Sequence, residues 1–286
     1  MKSKKETDRG VQSRRFSAWL PDIILAVILI VLTVIMVYPF IYEIFMSLSD
    51  PVQIVKHRGL LAKPIGFTTI AYQVVFSTSQ IWTGFANTLF IMVVGLAINL
   101  VLTSFGAYFL CQHDVMFYKP IMMFILITMY FSGGTIPIYL NVKDLGLLNS
   151  MWSLILPGLL STFNVIIMKN FFSSLPYELN EAAYIDGAND FQILMKIYLP
   201  LSFSALATLS LFYAVGRWNS FSDALYYITS RDLQPLQLKL YNLIKGSQAI
   251  EVAVMEGSSD LASSLSESIQ SATIIFATLP ILVVYP

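Results

Sequence analysis

"SLPYELNEAAYIDGANDFQILMKIYLP", residues 174–200, is a polar island in a hydrophobic chain. Four carboxylates, Glu178, Glu181, Asp186 and Asp190, lie between two apolar runs. Ser174 and Pro176 read as the cap and first turn of a helix, and Glu178 suits the positive end of its dipole. No breaker follows until Gly187, which is placed like the residue after a helix end. Asn189 and Gln192 have capping-box spacing, and Phe191, Leu194, Ile197 and Tyr198 then recur at helical intervals. Pro200 is expected to bend this second helix as it enters the next apolar run. The predicted unit is a short helix, a glycine turn and another helix. Two readings of it stand on local pattern alone. One is a solvated connecting loop whose acids need no partner. The other is a shaped surface for a partner's groove, on which Ala182 and Ala183 keep one face small and Glu181 charges its edge.

The surroundings of the island decide the class of protein. Of 286 residues, 56% are hydrophobic and 12% charged, and the mean hydropathy is +0.70. A soluble domain carries about a quarter charged residues, so this chain lacks half the polar surface it would need in water. It reads as all-α and membrane-embedded. A formal net charge of zero argues against nucleic acid as a partner. Cys111 is the single cysteine, so no intramolecular disulfide forms and the thiol reads as an inert helix residue.

"MKSKKETDRGVQSRR", residues 1–15, holds six of the seventeen Lys and Arg residues and precedes an apolar run from Ile23 to Tyr42. That run is long enough to cross about 30 Å of hydrocarbon and has no cleavage signal after it. It reads as an uncleaved first span with its basic start in the cytoplasm. Five more apolar segments follow, near 85–110, 121–140, 151–169, 198–217 and from Ile269 onward. Six spans put the N-terminus, the turn "CQHDVMFYK" and the island on the cytoplasmic side, with 47–83 and 219–268 outside. The organisation expected is a basic tail (1–19), a first helix with its outer segment (20–84) and a core (85–286) that carries the loop 174–200. The last span stops at "LPILVVYP" without a polar exit, which reads as a shortened end.

Glu181, Ala182 and Ala183, then Gly187, then Ile197, Leu199 and Pro200, resemble the EAA signature of type I ABC importer permeases. "AAYIDGA" is similar to the version in the carbohydrate-uptake, maltose-type branch. "GGTIPIYLNVKDLGLLNSMWSLILP", "NFFSSLPYELNEAA" and "VGRWNSFSDALYYI" resemble the permeases that import complex oligosaccharides in Gram-positive bacteria. The resemblance covers most of the chain from about residue 20. It implies a type I transmembrane domain in a bacterial cell membrane, with Glu181, Ala182, Ala183, Asp186, Gly187 and Pro200 coupling it to an ATPase. It also implies an ABC ATPase dimer carrying ATP and magnesium, a second homologous permease subunit, an extracellular solute-binding protein and an oligosaccharide substrate. This chain itself is expected to bind no cofactor.

Other residues carry weaker signals. Arg217 and Trp218 are most simply an anchor at the membrane interface, and the resemblance adds a second reading of Trp218 and Asn219 at an outer gate. Gly133, Gly134 and Pro137 interrupt the third span, as transport paths do and as membrane helices do generally. Asn87 and Asn99 are expected to hydrogen-bond to neighbouring helices. Glu43 reads as an interfacial carboxylate. "LQPLQLKLYNLI", residues 233–244, is expected to form a helix near the membrane surface. An ion-coupled transporter would need ionisable groups in mid-membrane, and the spans are nearly free of them. An intramembrane enzyme would need a nucleophile and base or a metal set. His57 and His113 are far apart in sequence and no such motif occurs. The usual phosphate-cradling loop is also missing, so ATP hydrolysis falls to another chain.

Overall fold

The computed structural model describes the backbone of residues 3–54, 59, 61–112, 114–255 and 260–284, with side chains except at 3–18, 20, 247–255, 260–265 and 284. His57, His113 and the final Tyr285 and Pro286 lie outside the described residues. All regular structure among the described residues is helical. Two compact units arise, one from residues 1–75 with 247–276 and one from 76–246 with 277–286.

In the first unit, α1 (Ser3–Ser47) is a single helix of 45 residues. The predicted span was shorter because its bounds rest on hydropathy, whereas the helix continues through the basic tail into Ser47. Its apolar part, Pro21–Ser47, meets no core until its last two residues, Met46 and Ser47, which are buried; Ile23, Leu25, Val34 and Met36 are all exposed. An all-round apolar helix of this kind is satisfied by lipid. Ser47 ends α1 with a 2.9 Å hydrogen bond to the hydroxyl of Tyr72, which lies on the short helix Ile70–Ser77.

The second unit is built on α2 (Ser79–Cys111), whose 33 residues reach about 50 Å. Three bent pairs follow. α3 (Tyr118–Tyr130) and α4 (Thr135–Asp144) meet at 107°, α5 (Trp152–Gly158) and α6 (Thr162–Ser173) at 50°, and, beyond the island helix α7 (Glu178–Ile185), α8 (Asp190–Leu201) and α9 (Phe203–Trp218) at 84°. Then come α10 (Ser222–Tyr227), α11 (Leu236–Met255) and α12 (Asp260–Val284). By length and composition α1, α2 and α12 can each cross a bilayer, and counting each bent pair as one span brings the total among the described residues up to six.

The first break follows Gly133 and Gly134, the latter at φ +85°, where a side chain would be strained. The third break is displaced from the expected position. Pro200 itself sits inside the end of α8, because a π turn at Leu194–Tyr198 sends the Leu199 amide back to the Leu194 carbonyl and accommodates the missing donor. The chain bends two residues later, at Ser202.

Two clusters hold α2, one near its middle and one at its C-terminal end. Ile91 packs with Val142, Leu154, Ile155, Ala224, Tyr227, Ile228 and Leu238. About 25 Å further along, Ala107, Tyr108 and Cys111 pack with residues of α6, α7, α8 and α9. The helix expected at 233–244 begins at Leu236, and its first half packs inward, with Leu236, Leu238, Lys239 and Leu240 buried. Gly84 permits this: a Cβ there would lie 2.8 Å from Lys239 Cδ and 3.2 Å from Leu236 Cα. Thr88 accepts the Leu236 amide at 2.8 Å, and Asn87 donates to the carbonyls of Asp232 and Gln234 at 2.6 and 3.1 Å.

Candidate functional site

The island folds as its local signals direct. α7 ends in a Schellman turn: Gly187 has φ +79°, its amide donates to the Tyr184 carbonyl, and the Ala188 amide returns to Ala183. The capping box is complete, with Asn189 Oδ1 accepting the Gln192 amide at 2.9 Å and Gln192 Oε1 accepting the Asn189 amide at 3.1 Å. Ser174 departs from its expected role. It closes the C-terminus of α6, its hydroxyl donating to the Phe171 carbonyl at 2.6 Å, and α7 begins only at Glu178.

Tertiary contacts decide which face of α7 looks outward. Asn180 and Ala183 are buried, three residues apart on one face. Glu181, Ala182, Tyr184, Asp186 and Gly187 are exposed, and Ile185 is 86% exposed. The two alanines therefore do not share an outer surface: Ala182 lies outward and Ala183 joins the core. Glu181, Ala182, Asp186 and Gly187 remain together on one helix and its turn, while Pro200 lies a helix away at the end of α8.

Three side chains fix this unit to the rest of the protein. Asn180 Nδ2 donates to Gln112 Oε1 at 3.0 Å, just past the end of α2. Asp190 Oδ1 accepts the hydroxyl of Tyr108 at 3.2 Å and also that of Tyr184. The bond to the carboxylate, more than burial, holds the Tyr184 hydroxyl above the ordinary tyrosine range. Beneath them Tyr198 meets Tyr108 and Phe172 edge-on at 5.1 and 5.2 Å, in the orientation aromatic quadrupoles favour. Asp190 is thus a joint of the island. None of Asn180, Gln112 and Tyr108 is marked by the sequence pattern. An asparagine in a helix otherwise built from good helix formers was the one available hint for the first.

Arg217 and Trp218 are not an interfacial anchor. The Arg217 guanidinium turns inward onto the end of α5, donating to the carbonyls of Leu154, Ile155 (2.9 Å) and Gly158 (2.8 Å). Gly95 and Gly158 make room for it: a Cβ on either would lie within 3.1–3.3 Å of its nitrogens. Asn99, fully buried beside it, donates through its side-chain amide to the carbonyls of Gly95 and Leu159 at 2.7 and 3.2 Å. Trp218 is buried too, donating to the Ala277 carbonyl at 3.1 Å and meeting Phe85 edge-on. Asn219 caps the end of α9 and is exposed.

A helical membrane protein that presents its polar segment as a fixed, outward-facing helix–turn–helix has the make-up of a transporter's membrane subunit. The chain belongs to the family of binding-protein-dependent transport system inner membrane components, whose model matches residues 78–286. It is 40% identical, over 93% of its length and 92% of the relative's, to the polygalacturonan/rhamnogalacturonan transport system permease protein YtcP of Bacillus subtilis. To protein LplC of the same organism it is 41% identical, over 87% and 84% of the two chains. Among solved structures, a chain of a bacterial ABC transporter involved in the import of the acidic polysaccharide alginate superposes with a TM-score of 0.85 at 33% identity, covering 94% of this chain and 95% of that one. The chain is accordingly a permease subunit of a binding-protein-dependent ABC importer.

Proposed function

We propose that this permease subunit forms one side of a translocation path for an oligosaccharide, of the acidic polysaccharide class that its relatives' names describe. A separate ATPase dimer hydrolyses ATP with magnesium and docks against residues 177–188. A second, homologous permease subunit completes the path, and a solute-binding protein delivers the sugar from outside. The N-terminal tail and the island lie on the cytoplasmic side.

The observation that carries this reading is the division of α7 into two faces. Asn180 and Ala183 bind it to the protein, and Glu181, Ala182 and Ile185 are left for a partner. An exposed apolar residue such as Ile185, beside a carboxylate, on a segment fixed by side-chain bonds, suits insertion into a groove with a basic edge. Asp186 and Gly187 set the aim of that helix, and Pro200 ends the lever that joins it to α9. Trp218, fixed on Ala277, and exposed Asn219 then belong to the opposite end of α9, where the outer gate falls.

The test is uptake in proteoliposomes that hold this chain with its co-purified partner subunits. Labelled oligogalacturonate delivered by its binding protein should accumulate only with ATP on the ATPase side. Uptake driven by a proton gradient without ATP would replace this reading with ion-coupled transport.

A further inference from the structure

Two of the bent spans break at neighbouring places. Thr128 near the end of α3 meets Thr162 at the start of α6 through their hydroxyls, 3.3 Å apart. At the other end, the Lys169 ammonium of α6 lies 5.9 Å from the ring centre of Tyr118 in α3. The two helices therefore run antiparallel, and the breaks at 131–134 and 159–161 fall at the same end of the pair.

The second break is satisfied from within the chain. Arg217 takes the carbonyls of Leu154, Ile155 and Gly158, the Tyr213 hydroxyl accepts the Ser161 amide at 3.3 Å, and the Ser161 side chain accepts the Asn164 amide at 3.4 Å. The first break has no such provision. Among the described residues nothing accepts from the amides of Ser132, Gly133 or Gly134, and the Ser132 hydroxyl has no partner. Tyr130 and Phe131 are 77% and 76% exposed, and α3 buries no residue at all.

Depth makes this open break informative. The 13 residues of α3 rise about 20 Å from its start at Tyr118 and Lys119, short of the roughly 30 Å hydrocarbon core. Counted from Lys119 as the cytoplasmic edge, the break falls inside that thickness. Lipid offers no partner to a free amide, so non-helical backbone at such depth is tolerated only inside protein or beside a water-filled cavity. On this chain it is not inside protein.

We infer that the segment Tyr130–Thr135 faces the aqueous solute path and contacts the sugar in transit. The rings of Tyr130 and Phe131 stack on the apolar face of a pyranose. The amides of residues 132–134 and the hydroxyls of Ser132 and Thr135 donate to its hydroxyl and carboxylate oxygens. This rests on the oligosaccharide-import reading for the identity of the ligand, while the aqueous path rests on the backbone alone.

The experiment uses the assembled transporter in lipid nanodiscs, in a Cys111→Ser background, with a charged methanethiosulfonate reagent. Ser132→Cys should react about tenfold or more faster than Val34→Cys on the lipid-facing side of α1, because a thiolate forms only where water reaches. Binding protein loaded with oligogalacturonate, with ATP, should slow that reaction severalfold. The double variant Tyr130→Ala, Phe131→Ala should assemble normally and lose most uptake. A reaction at Ser132→Cys as slow as at Val34→Cys overturns the inference, since the break is then covered by the second subunit or by lipid. Fast reaction unchanged by a sugar that the wild-type complex imports, with full uptake in the double variant, overturns the sugar contact. A wild-type complex that imports no oligosaccharide, with Ser132→Cys still water-accessible, removes the import reading and the sugar together but leaves the aqueous path standing.

Discussion

Asn180 on α7 donates to Gln112 just past the end of α2, at 3.0 Å, from a position with no solvent exposure. Sixty-eight residues separate the two in sequence. The bond makes the island an extension of the helix on which the second unit is built. It ties α7 to α2 directly, not only through the chain.

Asn180→Ala should uncouple without dissociating. It leaves Gln112 Oε1 without its donor and opens a small void, a cost of about 1–3 kcal/mol in a buried setting. ATP hydrolysis stimulated by loaded binding protein should fall severalfold while the subunits still co-purify. A double-mutant cycle with Gln112→Ala measures whether the loss belongs to this pair.

The turn and the joint behind it predict a ranking. Gly187→Val places a β-branched residue at φ +79°, costing roughly 1–2 kcal/mol or more and re-aiming α7. Asp190→Ala strips the acceptor from both Tyr108 and Tyr184, whereas Asp190→Asn keeps a carbonyl oxygen there and should be milder. Glu181→Lys leaves the fold intact and reverses charge on the face proposed to dock, where a pair buried by the partner would cost about 2–5 kcal/mol to break. Transport and stimulated ATPase activity at equal membrane expression give the order. Normal activity in both Glu181→Lys and Gly187→Val would reduce the island to a solvated loop.

Arg217 should prove structural. Arg217→Met orphans three carbonyls at the end of α5, at about 1–3 kcal/mol for each one left buried. Arg217→Lys should rescue little, because a point-like ammonium cannot span all three. Thermal inactivation of the purified complex in detergent reads this, with Gly158→Val as a steric control that crowds the guanidinium.

Sidedness is checked by thiol labelling in the Cys111→Ser background. Ile185, 86% exposed, is the position to use on the island, since a cysteine at buried Asn180 would be silent on either side. Ile185→Cys should react with an impermeant reagent only after permeabilisation, and Leu145→Cys, just past α4 and 64% exposed, in intact cells. Labelling of Ile185→Cys from outside would invert the orientation.

What the sequence determined by itself was local or statistical in origin. Apolar runs of span length set the membrane class, because hydrocarbon penalises every uncovered polar group regardless of fold. The island was legible because a positive-φ glycine and a capping box each act within a few residues. The breaks at Gly133–Gly134 and near Pro200 were visible as well, although the π turn moved the second bend to Ser202. The tertiary structure alone decided which way side chains turned. Helical spacing put Asn180, Glu181, Ala182 and Ala183 on adjoining faces, and only packing against α2, α6 and α8 chose Asn180 and Ala183 as the inner ones. Arg217 could serve an interface or a core by its chemistry. Its long side chain took the inward course because Gly95 and Gly158, more than fifty residues away, leave space for it beside the carbonyls of Leu154, Ile155 and Gly158.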